Sequence, residues 1–114
     1  MDKITYQHGD IFERWNELSF PEQMLNIGSE VSRALKWQCK NEKRTESAFF
    51  RALELFHFTV KSLQTNGNKH RIKEIGLAKE VLYDYLYGGN VYKSTPQSLM
   101  KYYNDFRPLT SRKF

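Results

Sequence analysis

The sequence contains only one cysteine, three prolines and six glycines among its 114 residues. Because Cys39 has no second cysteine to pair with, an intramolecular disulfide and the usual cysteine-rich zinc sites are excluded. No stretch approaches the roughly 18 apolar residues of a membrane-spanning helix. The first ten residues also lack the apolar segment of a secretory signal. These absences predict a cytoplasmic domain that does not enter a membrane.

Charge is spread unevenly along the chain. The formal net charge is +5, of which residues 1–30 contribute −4 and residues 31–114 contribute +9. Such asymmetry fits an anionic partner for the basic part of the domain. It fits equally an acidic N-terminal part that packs against a basic face and neutralises it. We favour the second interpretation.

Apolar residues recur at helical spacing over most of the chain, and no strand pattern competes with them. The periodicity predicts a short helix from Asp10 to Leu18, then helices over residues 19–40, 45–66 and 69–87, and a short fourth helix carrying Leu99, Tyr103 and Phe106. Short connections favour antiparallel neighbours. The predicted fold class is therefore all-α: an up-and-down bundle of four helices preceded by a short N-terminal helix. We predict a single domain over residues 1–114, with loose ends at 1–9 and 109–114.

Capping residues and glycines indicate where these helices begin and end. Ser19 with Glu22 reads as a capping box, and Ser94 with Gln97 repeats that pattern. Gly67 and Gly88 mark the ends of the second and third long helices.

The helix over residues 45–66 is predicted to be the most buried, since Phe50 and Phe58 widen its apolar stripe. Gly28 lies in mid-helix, where glycine costs up to about 1 kcal/mol relative to alanine. That cost indicates the close approach of a neighbouring helix, and we predict Gly28 as an interface residue.

Arg51 is followed six positions later by His57. Ribonucleases of the HEPN superfamily carry an Arg and a His at this spacing, and the chain resembles that superfamily in its helical layout over residues 19–106. Other members are the substrate-binding partners of minimal nucleotidyltransferases. The resemblance implies an RNA-directed protein in which Arg51 contacts phosphate and His57 acts as general acid or base near a dimer seam. The chain departs from the family at three points. Ala52 stands where the family has a polar residue, and the pair lies in the second long helix, whereas the family usually has it late in the bundle. The two helical positions are also about 120° apart.

Glu54 and His57 form a glutamate–histidine pair at i and i+3. Carboxylate bundles that hold two metal ions use this unit, because both side chains project from one helix face. Such sites need two of these pairs and two further glutamates, whereas this chain has one pair. We predict no metal and no cofactor.

Basic residues lie at the end of the first long helix and in the segment after it. Arg33, Lys36 and Lys40 are spaced at i, i+3 and i+7, and Lys43 and Arg44 continue the charge. Such rows can follow the phosphates of a nucleic acid. They can equally form a solvated face, which is the interpretation we favour; nucleic-acid binding stays open.

Tyrosines are concentrated between residues 83 and 92, too densely for all of them to face inward. Tyr83, Tyr87 and Tyr92 are predicted interface residues, since tyrosine joins a large apolar ring to a polar tip. For Tyr92, Tyr102 and Tyr103 we favour the simpler interpretation that they cover the end of the bundle, with an interface as the second. Glu80 and Asp84 are interpreted as an exposed pair of like charge. The sequence as a whole favours a non-enzymatic bundle that acts as a homo-oligomer or as a subunit of a protein complex.

Overall fold

The computed structural model describes residues 12–110. Within that part of the chain the regular structure is entirely helical, with no strand, which confirms the all-α prediction. Residues 12–17 form α1, and the later elements are α2 (Phe20–Trp37), α3 (Glu42–Asn66), α4 (His70–Tyr87), α5 (Pro96–Asn104) and a closing 3-10 turn (Arg107–Leu109).

Helix α2 lies at the centre of the bundle, packed against α3, α5 and the 3-10 turn, and α4 packs against α3. Helices α2 and α3 run antiparallel: Glu30 reaches Arg51, and Gln23, earlier in α2, reaches Ser62, later in α3. The core lies where these helices meet, and its fully buried side chains include Met24, Ile27, Val31, Ala52, Phe56, Ile75 and Leu82.

Helix α1 is held to the bundle by a buried polar network. The indole Nε1–H of Trp15 donates to Thr59 Oγ1 at 3.0 Å, and the Gln23 side-chain amide donates to the Trp15 carbonyl at 2.9 Å. No buried side-chain nitrogen or oxygen of the described residues lacks a partner. Burial of these polar groups is therefore compensated throughout.

Two helix boundaries differ from the sequence-based prediction. Helix α2 ends at Trp37 instead of Lys40, because Gln38 leaves the helical region and Cys39 has a positive φ of 67°. Helix α3 begins at Glu42 instead of Thr45, because the Asn41 side chain caps it by accepting from the Arg44 N–H at 3.0 Å. The basic turn predicted over residues 41–44 is thus wrong; it is the cap and first turn of α3.

The other end signals are partly confirmed. The Ser19–Glu22 capping box is present, and Gly67 ends α3 with a left-handed φ of 77°. The second capping box is shifted by one residue, to Thr95 and Ser98, so that Pro96 occupies the first helical position. The loose ends were predicted at 1–9 and 109–114. Leu109 instead closes the 3-10 turn, and residues 1–9 and 111–114 lie outside the described residues.

Two burial predictions are wrong. Phe50 points outward, because it lies on a side of α3 that the neighbouring described elements do not cover. Asp84 is buried, not exposed, because the loop after α4 folds over its carboxylate. Among the described residues, no helix has the length and hydropathy that crossing a bilayer would require.

Candidate functional site

Four aromatic side chains on the α3–α4 side of the molecule are largely accessible to solvent. Their exposed fractions are 58% for Phe50, 53% for Tyr83, 42% for Tyr87 and 46% for Tyr92. We call these four residues the aromatic surface. Three of them are the predicted interface tyrosines, whereas Phe50 had been assigned to the core. Single exposed apolar residues are ordinary, but a group of large rings on neighbouring elements is the usual mark of an interaction site.

The buried ring of Phe49 joins three of these residues. Its centroid lies 5.2 Å from that of Tyr87, 6.0 Å from Phe50 and 6.2 Å from Tyr83. Tyr83 and Tyr87 are one turn apart on α4, with centroids 5.8 Å apart. Aromatic rings at these separations attract one another, so the exposed rings are held in place by a ring of the core.

Tyr92 is positioned by the buried carboxylate of Asp84. Asp84 Oδ1 accepts from the Val91 N–H at 2.9 Å, and Oδ2 accepts from the Tyr92 N–H at 3.0 Å. Gly88 permits this fold-back, since a Cβ there would lie 3.0–3.1 Å from the Asp84 backbone and carboxylate. The loop after α4 is thereby fixed, and the Tyr92 hydroxyl donates to Glu80 Oε2 at 2.9 Å.

Carboxylates lie beside these rings. Burial raises the pKa of Tyr87, and the negative charges of Glu46 and Glu42 raise it further. The pKa of Tyr92 is raised first by its hydrogen bond to Glu80. Both phenols are neutral at physiological pH, and negative charges lie close to each of them.

Gly28, the remaining predicted interface residue, is used within the chain. A Cβ at this position would lie only 2.7 Å from Tyr103 Cβ of α5. The predicted close approach of a helix is confirmed. It is internal, so Gly28 is covered by its own chain and presents no surface to a partner.

The predicted basic row is divided between two elements. Arg33 on α2 donates to Glu30 Oε1 at 2.7 Å, so its charge is partly neutralised. Lys40 lies beyond the end of α2, so it does not continue the row as predicted. Lys43 and Arg44 are exposed in the first turn of α3.

Arg44 and Lys36 lie instead over the ring of Trp37. The guanidinium carbon of Arg44 is 4.6 Å from the ring centroid, and Lys36 Nζ is 5.4 Å from it. With Lys40 and Lys43 close in sequence, these residues form a basic corner where α2 leads into α3.

Arg51 and His57 do not converge. Arg51 points towards α2, where its Nε lies 3.5 Å from Glu30 Oε1, and its Nη1 donates to Ser47 Oγ at 3.1 Å. His57 is exposed further along α3, with its ring 6.0 Å from that of Phe58. The sequence angle of about 120° between them is thus kept in the fold.

Glu54 and His57 are both exposed on α3. Within residues 12–110 no group of three or more His, Cys, Asp and Glu side chains is arranged to hold a metal ion. Cys39 is exposed in the turn between α2 and α3.

A second surface feature, between α4 and α5, was not found by sequence reasoning. It is an apolar cleft of about 240 Å³ lined mainly by Leu77, Ala78, Val81, Leu99 and Tyr102. Tyr102 also donates to Glu74 Oε2 at 2.6 Å. The sequence feature that could have predicted this cleft is the pair Leu77 and Val81, which lie one turn apart on α4 and outside its main apolar row.

Comparison with protein-family models, with curated proteins and with solved structures finds no match to this chain. Among residues 12–110, every exposed phenylalanine and tyrosine belongs to the aromatic surface.

Proposed function

We propose that this chain is a non-enzymatic interaction domain, a subunit of a protein complex whose partner covers the aromatic surface. The observation that carries the proposal is the joint exposure of Phe50, Tyr83 and Tyr87 around the buried ring of Phe49, with Tyr92 exposed in the loop after α4. Tyrosine and phenylalanine are enriched at protein interfaces, and burying one such side chain contributes about 1.5–3 kcal/mol.

Rigidity of the surface supports the same proposal. The rings are carried by two packed helices and by a loop that Asp84 ties down with two hydrogen bonds. A preformed surface loses little conformational entropy on association. The divergence of Arg51 and His57 supports a non-enzymatic role, since a general acid or base has to reach the group that an arginine binds. A cytoplasmic location belongs to the proposal, and the single exposed thiol of Cys39 fits a reducing compartment.

Affinity capture from the source cell, with the full-length chain as bait, tests this proposal. The wild-type bait is compared with Phe50→Ser/Tyr83→Ser and with the control Leu77→Ser, an equally exposed apolar residue of α4 that lines the other cleft. We expect a stoichiometric protein that the wild type and the control retain and the double variant loses. If the partner is a second copy of this chain, light scattering of the purified protein would detect the dimer. If all three baits retain the same proteins and the chain is monomeric, the proposal fails.

A second proposal, RNA binding of the kind that the HEPN resemblance implies, draws support from the basic corner. Trp37 with Arg44 and Lys36 joins a stacking surface to two cations, which is a combination that single-stranded nucleic acids use. Fluorescence anisotropy with single-stranded RNA at increasing salt tests it. We expect binding that weakens with salt and is reduced by Arg44→Ala. Cleavage that persists unchanged in His57→Ala would exclude His57 as the general acid or base.

A further inference from the structure

Three glutamates flank the aromatic surface. Glu42 and Glu46 are one turn apart on α3, and Glu80 lies one turn before Asp84 on α4. All three are exposed. Within residues 12–110, the acidic partners of the ion pairs are Glu30, Glu74 and Asp105. No lysine or arginine nitrogen there lies within 4 Å of the carboxylates of Glu42, Glu46 or Glu80.

The carboxylates lie next to the rings. The Tyr92 hydroxyl donates to Glu80 Oε2 at 2.9 Å. Glu42 and Tyr87, together with Lys40, line one open cleft of about 440 Å³ between the start of α3 and the end of α4. A carboxylate therefore lies beside Tyr87 at one end of the aromatic surface and beside Tyr92 at the other.

Three partly buried rings elsewhere in the described residues, those of Trp37, Phe12 and Phe20, each carry a cation, whereas the partly buried Tyr85 and Tyr102 carry none. Trp37 lies under Arg44 and Lys36, Phe12 under Lys61, and Phe20 under Arg71 at 4.4 Å. In the same residues no lysine or arginine lies over a ring of the aromatic surface. Its rings and its carboxylates are the two groups that attract cations, and within residues 12–110 neither is paired with a lysine or arginine.

We infer that the aromatic surface docks a basic segment of a partner protein, with lysine or arginine side chains over the rings of Tyr83 and Tyr87 and paired with Glu42, Glu46 and Glu80. This inference rests on the proposed function and adds the chemistry of the partner. Charge complementarity carries it: the apolar stem of each basic side chain covers the rings, and its cationic end meets a carboxylate.

The charge of the whole chain makes the inference sharply testable. At a net charge of +5 the chain repels a basic peptide at long range, so non-specific attraction does not favour binding. Binding of such a peptide has to come from a local negative surface.

The probe is a fluorescein-labelled peptide of alternating arginine and glycine, and its control is the same peptide with neutral citrulline in place of arginine. We expect the arginine peptide to bind the full-length chain and to shift the ring resonances of Tyr83 and Tyr87. The citrulline peptide should bind about tenfold or more weakly, since each exposed cation–π or ion-pair contact changes the Kd by roughly two- to fivefold.

Charge-neutralising variants locate the site. Glu46→Gln/Glu80→Gln should weaken binding of the arginine peptide by about tenfold on the same reasoning. Glu13→Gln/Glu17→Gln, which removes two exposed carboxylates from α1, is the matched control and should leave the Kd within about twofold. All four positions are exposed, so circular dichroism should show the wild-type fold in both variants.

Three results would overturn the inference: equal affinity for the two peptides, no binding of the arginine peptide, or equal weakening in the two double variants. A dimer that the Glu46→Gln/Glu80→Gln variant abolishes would also overturn it, because the occupant would then be a second copy. These outcomes leave the proposed function standing if Phe50→Ser/Tyr83→Ser still loses its partner, so the two failures are distinguishable.

Discussion

At Gly28, α2 lies in close contact with Tyr103 of α5. An alanine there would place its Cβ 2.7 Å from Tyr103 Cβ and 3.2 Å from Tyr103 Cγ. The Tyr103 atoms are at the root of a buried side chain, so the two helices would have to separate. We expect Gly28→Ala to lower the free energy of unfolding by about 1–2 kcal/mol, since overpacking outweighs the gain in helix propensity.

Gly76 is the matched control for that prediction. It is exposed in mid-α4, and nothing lies within 4 Å of a Cβ built there. Gly76→Ala should therefore raise the free energy of unfolding by about 0.5–1 kcal/mol. Urea denaturation of both variants measures the difference, and two changes of the same sign would contradict the geometry of the α2–α5 contact.

The buried phenol of Tyr103 makes the stability of the fold depend on pH in the alkaline range. Burial raises the pKa of its phenol well above the ordinary value of 10.0. Between pH 10 and the folded-state pKa, the phenol is ionised in the unfolded chain and neutral in the folded one. In this pH range the unfolded state binds fewer protons than the folded state. The free energy of unfolding therefore falls as the pH rises above 10. The loss attributable to Tyr103 should be about 1.4 kcal/mol per pH unit.

Tyr103→Phe removes this dependence, so its free energy of unfolding should fall less steeply than that of the wild type above pH 10. Tyr83→Phe deletes a phenol from an exposed position and serves as the control. Parallel curves for Tyr103→Phe and the wild type would show that this phenol titrates alike in both states.

Helix ends are set by local interactions. At the start of α5, two adjacent residues, Ser94 and Thr95, could each act as the N-terminal cap. The cap of α5 is Thr95, whose Oγ1 accepts from the Ser98 N–H at 3.0 Å, while the backbone of Ser94 is bound by Asn90. Thr95→Ala should cost about 1 kcal/mol of unfolding free energy. Ser94→Ala should cost less than about 0.5 kcal/mol. Thermal unfolding of the two variants measures both, and the reverse order would place the cap at Ser94.

The helix ends that were predicted correctly are those whose capping interactions involve residues only a few positions apart in sequence. Ser19 with Glu22 and the left-handed Gly67 are of this kind. The α2–α3 turn was misplaced because its decisive feature is the positive φ of Cys39, a conformation that few non-glycine residues adopt. Asn41 is a favourable capping residue, but the basic residues Lys43 and Arg44 after it were interpreted as part of a turn, so the cap was not predicted.

At the scale of the whole molecule, the aromatic surface is expected to serve association and not folding. Phe50→Ser/Tyr83→Ser should change the free energy of unfolding by less than about 1 kcal/mol, because both side chains are exposed. Phe49→Ala should cost about 3 kcal/mol, because that ring is buried beneath them. Chemical denaturation measures both, and a double variant as unstable as Phe49→Ala would assign the surface to the core.

Spacing along the chain was sufficient to predict much of the candidate site. Tyr83, Tyr87 and Tyr92 could be named because too many tyrosines lie close together for all to be buried. Phe50 could not, since an apolar residue beside an apolar stripe reads as part of it. Asp84 was missed for the converse reason: only the loop that folds back over α4 brings the Val91 and Tyr92 N–H groups to its carboxylate.

The sequence by itself determined the helices of this protein, because periodicity, caps and a left-handed glycine act over a few residues. It also determined that some tyrosines must be exposed. Only the tertiary structure decided which side of each helix is covered. It turned Phe50 outward, buried Asp84, enclosed Gly28 against Tyr103 and set Arg51 and His57 apart. The physical reason is that burial depends on which neighbour packs against a helix face, and those neighbours are distant in sequence.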